Sequence, residues 1–301
     1  MIHKNNTSSH SLLHRFIKIC KRSDGVFVVL RVNSPPKGVF IKSKMKKMVT
    51  DSCIQTVSTE NGLPFYVLDV PEGMNLSMWG TVEKKCGRYA SRIVAPRSIT
   101  LPDSGKIRRF VPCSTPSSLT FNTAVKTLKK ANISPEKISI TVSDINARQA
   151  SELCRILPFA SVIKVVTAYP EKYASACEKA FNDYGASVLL RSCYEPSSKH
   201  DVIICCDGRL APSAHNAAVF SCKSRTFGKL HFKGSGADLT ANHSKIIPEN
   251  INPIDFIGAV TELCGSSDYK NACFRDIAVS CEKCTNSSPA TCLECFASEK
   301  L

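Results

Sequence analysis

The chain has 301 residues, 43% hydrophobic and 22% charged, with a net charge of +15. That balance excludes a disordered polyelectrolyte, and the length allows about two domains with buried cores. No window approaches the ~18 apolar residues of a membrane span, and no export signal is evident, so the expectation is a cytoplasmic protein with no membrane partner.

The charge is uneven. Residues 1–130 carry 22 of the 40 basic side chains and 7 of the 25 acidic ones, which accounts for the whole excess; residues 131–301 are balanced. Within residues 1–50, eleven Lys and Arg face one acid, Asp24. Such a block attracts nucleic acid or an acidic protein. The competing reading is a solvated arm, because KSKMKKM (42–48) has no interleaved aromatic residue.

In chain order, residues 1–24 read as a basic, disordered arm, and 25–134 as a smaller basic α+β region. GVFVVLRV (25–32) and GVFIKSKM (38–45) flank the turn NSPPK and predict a strand pair. GLPFYVLDVP (62–71) predicts a strand, MNLSMWGTVEKKCG (74–87) a helix, SRIVAP (91–96) a strand, and SSLTFNTAVKTLKKANI (117–133) a helix.

From 135 the pattern changes. Ile138–Ser143 predicts a strand. Ala147–Leu157 predicts a helix capped by Asn146 and stopped before Pro158. VIKVVTA (162–168) is a strand, Pro170–Tyr184 a helix closed by Gly185, ASVLLRS (186–192) a strand, and DVIICC (201–206) another. AVFSCKS (218–224) and GKLHFKGS (228–235) add strands, and PIDFIGAVTELCG (253–265) an amphipathic helix. Near-continuous apolar strands alternating with helices predict an α/β fold: a Rossmann-like parallel sheet with helices on both faces, over 135–265. Residues 266–301 predict a helix followed by a cysteine-rich tail.

In such sheets, ligands sit beyond the strand ends where strand order reverses. If the strands ending at Ser143 and Cys206 are neighbours, the crevice is lined by Asp144 and Asn146 on one turn and by Cys206, Asp207 and Gly208 on the other. Thr167, Ala168 and Tyr169 fall where a ribose is usually read. The order of elements closing on DVIICCDG resembles the nicotinamide-binding domains of the shikimate dehydrogenase and glutamyl-tRNA reductase type, over about 136–265. That resemblance implies bound NAD(P) and an oxidoreductase. The glycine fingerprint is absent from SDINAR (143–148), and Asp144 would set a carboxylate against a diphosphate.

Asp144, Asn146, Thr167 and Asp207 also faintly resemble the haloacid-dehalogenase-type phosphatases. There the first strand-end Asp is the nucleophile, but Asn146 replaces the usual acid. The plainest alternative makes Asp144 a carboxylate at the start of the next helix. Cys205 and Cys206 suggest a thiol nucleophile with His200 or His215 as base, against a reading as core residues.

Sixteen cysteines mostly sit singly in apolar runs, as small buried hydrophobes do. Cys281, Cys284, Cys292 and Cys295 differ: C-x2-C-x7-C-x2-C can wrap one structural zinc, against a loose thiol tail. The sequence thus carries two readings. One is a Rossmann-like protein with a small-ligand or nucleotide crevice, including a degenerate NAD(P)-linked oxidoreductase. The other is a non-catalytic binding protein using residues 1–50.

Overall fold

The computed structural model describes residues 26–33, 42–59, 62–103, 105–196, 200–207, 216–222, 228–239, 245–281 and 287–298. The chain is α/β, with two mixed, largely parallel sheets. It divides into two units: Met1–Pro112 with Thr240–Asp268, and Cys113–Leu239 with Tyr269–Leu301. The first boundary therefore falls before the helix of 115–130 and not at 134. The segment expected to close the Rossmann-like region belongs with the first unit. Among the described residues no helix is long and apolar enough to cross a membrane.

In the first unit, β1 (Val28–Asn33) lies between β3 (Pro64–Pro71) and β4 (Ile93–Val94), parallel to both. β2 (Ile54–Ser58) runs antiparallel to β3. Of the strand expected at 38–45, residues 38–41 lie outside the described residues and 42–45 open α1 (Lys42–Asp51) instead. Met45 and Val49, four residues apart, are its buried pair, a helical period, and lysine is a good helix former. α2 (Leu76–Cys86) follows its prediction: Asn75 accepts the Met78 N–H at its start, and Met78, Trp79, Val82 and Cys86 face the core. On the other sheet face, Phe27 stacks on Phe65 at 5.5 Å, and Phe256 meets both edge-on. Phe256 lies on α5 (Pro253–Gly258), so the PIDFIGAV segment buries its apolar face in this unit.

The second unit is built on seven strands in the order β11-β10-β9-β8-β5-β6-β7. These are β5 (Ile138–Ser143), β6 (Val162–Val166), β7 (Val188–Arg191), β8 (His200–Cys205), β9 (Ala218–Ser221), β10 (Leu230–Ser235) and β11 (Asp276–Ser280). β5 to β10 are parallel; β11 is antiparallel to β10. Counted along the chain, the parallel strands lie in the order 3-2-1-4-5-6. Successive strands step outward from β5 to β7, then the chain returns to β8 on the other side of β5. The order reverses between β5 and β8.

α3 (Thr115–Lys130) and α4 (Ala174–Tyr184) follow the predicted pattern, and Gly185 closes α4 at φ 62°, a left-handed conformation that suits glycine. Two local expectations need correction. The segment after β5 is a 3₁₀ helix, Ala150–Phe159, which runs through Pro158. Asn146 does not cap it, because its side chain is turned to Asp207. In the tail, β11 comes first and α6 (Pro289–Ala297) second. Alternation in DIAVS (276–280) supplies the strand, and Ser288 accepts the Thr291 N–H to start the helix.

Burial pushes the Cys86 thiol up to about 12, and it also pushes the Cys206 thiol up. Unfolded thiols lose their protons from about pH 8.5, whereas the folded ones keep them. The folded state then binds more protons than the unfolded one, so stability falls as pH rises. We expect chemical-denaturation midpoints to fall from about pH 9 towards 12, with a shallower fall in Cys86→Ala.

Candidate functional site at the reversal of strand order

β5 is buried along its whole length and delivers Asp144 to the end of the sheet. The Asp144 side chain is fully buried. Its Oδ2 accepts hydrogen bonds from the Gln149 N–H at 2.6 Å and the Tyr173 hydroxyl at 2.7 Å. Its Oδ1 has no partner among the described residues. The Asp144 carbonyl accepts from the Ala147 N–H at 3.0 Å, and Ala147 takes φ 53°, so the turn is tight without a glycine.

β8 brings the second carboxylate. The Cys206 N–H donates to the Ser143 carbonyl at 2.9 Å, and Ser117 Oγ donates to the Cys206 carbonyl at 2.7 Å. This places Asp207 over the first turn. Its Oδ2 accepts from the Ile145 N–H, and its Oδ1 accepts from Asn146 Nδ2 at 3.2 Å. The structure therefore does bring Asp144, Asn146, Cys206 and Asp207 together. They bond to the turn itself and do not face one another across an empty space. Gly208 and His215 lie outside the described residues.

At the end of β6, Thr167 is buried and its hydroxyl accepts the Tyr169 N–H at 3.2 Å. Tyr169 is 43% exposed, with Lys172 Nζ 4.4 Å from its ring centre. Along the rim, Asn146, Arg148, Ala168 and Tyr169 are exposed and Ile145, Ala147 and Asp207 are half-buried.

Electrostatics fix the protonation of two neighbours. Burial first, and the Asp144 charge second, hold the Tyr173 phenol and the Cys206 thiol well above their usual values. Tyr173 is therefore a hydrogen-bond donor at neutral pH, and Cys206 is a thiol. Cys205 is also buried, and His200 sits at the start of β8, packed edge-on against Phe296 at 5.3 Å. A thiolate nucleophile needs the opposite environment. Asp144, with no exposed surface, has no path to a phosphoryl group either.

A dinucleotide diphosphate needs free N–H groups at the first turn. Here the Ile145 and Gln149 N–H groups already donate to carboxylates. The residues present do not fit the diphosphate. Tyr173 and Gln149 are the members of the site that the sequence did not reveal. Neither carries a motif, and Tyr173 reaches Asp144 from 29 residues away. Removing its hydroxyl leaves Asp144 Oδ2 with one donor, so Tyr173→Phe is expected to lower stability by about 2 kcal/mol, measured by chemical denaturation.

Of the tail cysteines, Cys292 is fully buried on α6 beside Leu293 and Phe296, while Cys281 and Cys295 are partly buried. Cys284 lies outside the described residues. Among the described residues, no three His, Cys, Asp or Glu side chains gather to hold a metal ion. Most of residues 1–50 also lies outside them; Lys46 and Lys47 are exposed on α1. No family model matches the chain, and no curated protein matches it.

Proposed function

We propose that the second unit is a Rossmann-like binding domain that takes a small ligand at the β5–β8 rim without a dinucleotide diphosphate. The strand order 3-2-1-4-5-6 is the one that places ligands at this reversal. The observation that carries the reading is the capture of the Ile145 and Gln149 N–H groups by Asp207 and Asp144. Two carboxylates occupy the positions where phosphates would be held. They repel a diphosphate and favour an uncharged or cationic ligand with hydrogen-bond donors. Asp207 and Asn146 offer acceptors, and the exposed Tyr169 ring offers a stacking surface at the end of β6. A nucleoside has these features; NAD and NADP add the diphosphate that the turn rejects.

The test is thermal unfolding with adenosine, NAD and NADP at equal millimolar concentrations. A bound ligand raises the midpoint through mass action, by about 2.7 kcal/mol at a hundredfold excess over Kd. Adenosine is expected to give a saturable rise, with NAD and NADP giving less. A larger rise with either dinucleotide would show a seated diphosphate, and no rise with any of the three would remove the rim as a nucleoside site.

A further inference from the structure

A second concave site lies in the same unit and shares no residue with the rim. It is an open groove of about 650 Å³ between the C-terminal half of α3, the 3₁₀ helix after β5, and the loops around Asp238 and Asn271. Its lining carries three cations, Lys126, Lys129 and Arg155, and one carboxylate, Asp238.

Arg155 is held in place by a chain of bonds. Asn122 is buried, and its Nδ2 donates to the carbonyls of Lys270 and Ala272, both at 2.9 Å. That fixes the amide so that Oδ1 accepts from Arg155 Nη1 at 2.7 Å. The same Nη1 donates to Glu152 Oε2 at 3.1 Å, and Lys270 Nζ pairs with Glu152 Oε1 at 2.9 Å. Burial alone would raise Glu152, but the bonds from Lys270 and Arg155 outweigh it and hold the carboxyl below its usual range. Arg155 also lies 5.8 Å from the centre of the Phe121 ring. Its Nε and Nη2 have no hydrogen bond among the described residues. A guanidinium held by one edge and open along the other is arranged to take an oxyanion two-pronged.

The charges define the class of ligand. Lys126 is paired with Asp238 at 2.9 Å, and Glu152 offsets Lys270. Lys129 is exposed and has no ion-pair partner among the described residues. The groove keeps two positive charges, on Arg155 and Lys129, beside the apolar surfaces of Val125 and Phe159. We propose that this groove binds a small phosphate monoester with an apolar body: the dianion on Arg155 and Lys129, the body against Val125 and Phe159.

The experiment is calorimetric titration of the full chain with phenyl phosphate, with benzoate and phenol as controls. Phenyl phosphate is expected to bind saturably and more tightly than benzoate, and phenol not to bind. Lys129→Met removes one charge from an exposed side chain and should weaken binding about tenfold. Arg155→Lys keeps the charge but loses the fork and should weaken it about a hundredfold. General electrostatic attraction would leave Arg155→Lys unaffected. Three results would overturn the proposal: no saturable binding, parent-like affinity in both variants, or benzoate binding as tightly as phenyl phosphate.

Discussion

Asp144→Ala is expected to destabilise the protein by about 3 kcal/mol, because it leaves two buried donors without an acceptor. Those donors are the Gln149 N–H and the Tyr173 hydroxyl, and both now meet one carboxylate oxygen. Alanine also leaves a void where a fully buried side chain stood. Asp144→Asn keeps an acceptor of the same shape and should lose less. The measurement is the shift in urea midpoint, with Tyr173→Phe as the second arm of a double-mutant cycle. Strong coupling is expected, since the two side chains share one bond. A loss under about 1 kcal/mol in Asp144→Ala would show that this carboxylate does not hold the turn.

The second large effect is steric. A Cβ on Gly234 would lie 1.9 Å from Phe274 Cδ2 and 2.3 Å from its Cγ, well inside contact distance. Gly234 is on β10, paired with Ile277 of β11, so its backbone is fixed from the side. Phe274 is buried, and its N–H donates to Thr123 Oγ1 at 2.9 Å, so the ring cannot simply withdraw. Gly234→Ala should therefore cost about 3 kcal/mol, the upper end of overpacking. Adding Phe274→Ala removes the obstacle. The double variant is expected to be less destabilised than the sum of the two single changes. Simple additivity would mean that the clash is relieved elsewhere.

How much of this was legible follows from what each signal reports. The largely apolar runs at 138–143, 162–166 and 201–205 marked the central parallel strands because strands buried on both faces are rich in β-branched and aliphatic residues, with Ser139, Thr141, Ser143, Lys164 and Asp201 as the buried polar exceptions. Gly185 marked the end of α4 because only a left-handed residue fits there. The strand order could not be read, since parallel neighbours are set by packing and not by local composition. The helix over Lys42–Asp51 does not show in a reading of 38–45 as a strand, because a valine-phenylalanine-isoleucine run outweighs the four-residue spacing of Met45 and Val49. The segment at 253–265 was correctly helical, but its partner sheet is a long-range fact. At the site, the missing glycines told correctly that the turn is unusual. They did not tell that Asp207, 62 residues beyond Ile145, would fill the vacancy at its N–H. Asn146 looked like a cap because cap residues and loop donors share one chemistry.

The protein's own carboxylates occupy the turn amides. Amide resonances of Ile145 and Gln149 test this occupancy most directly, through hydrogen exchange and titration with NADP. Slow exchange is expected at both positions, with no movement of either resonance on adding NADP, and faster exchange of Ile145 in Asp207→Ala and of Gln149 in Asp144→Asn. Rapid exchange at both amides in the parent protein, with saturable shifts on adding NADP, would contradict it.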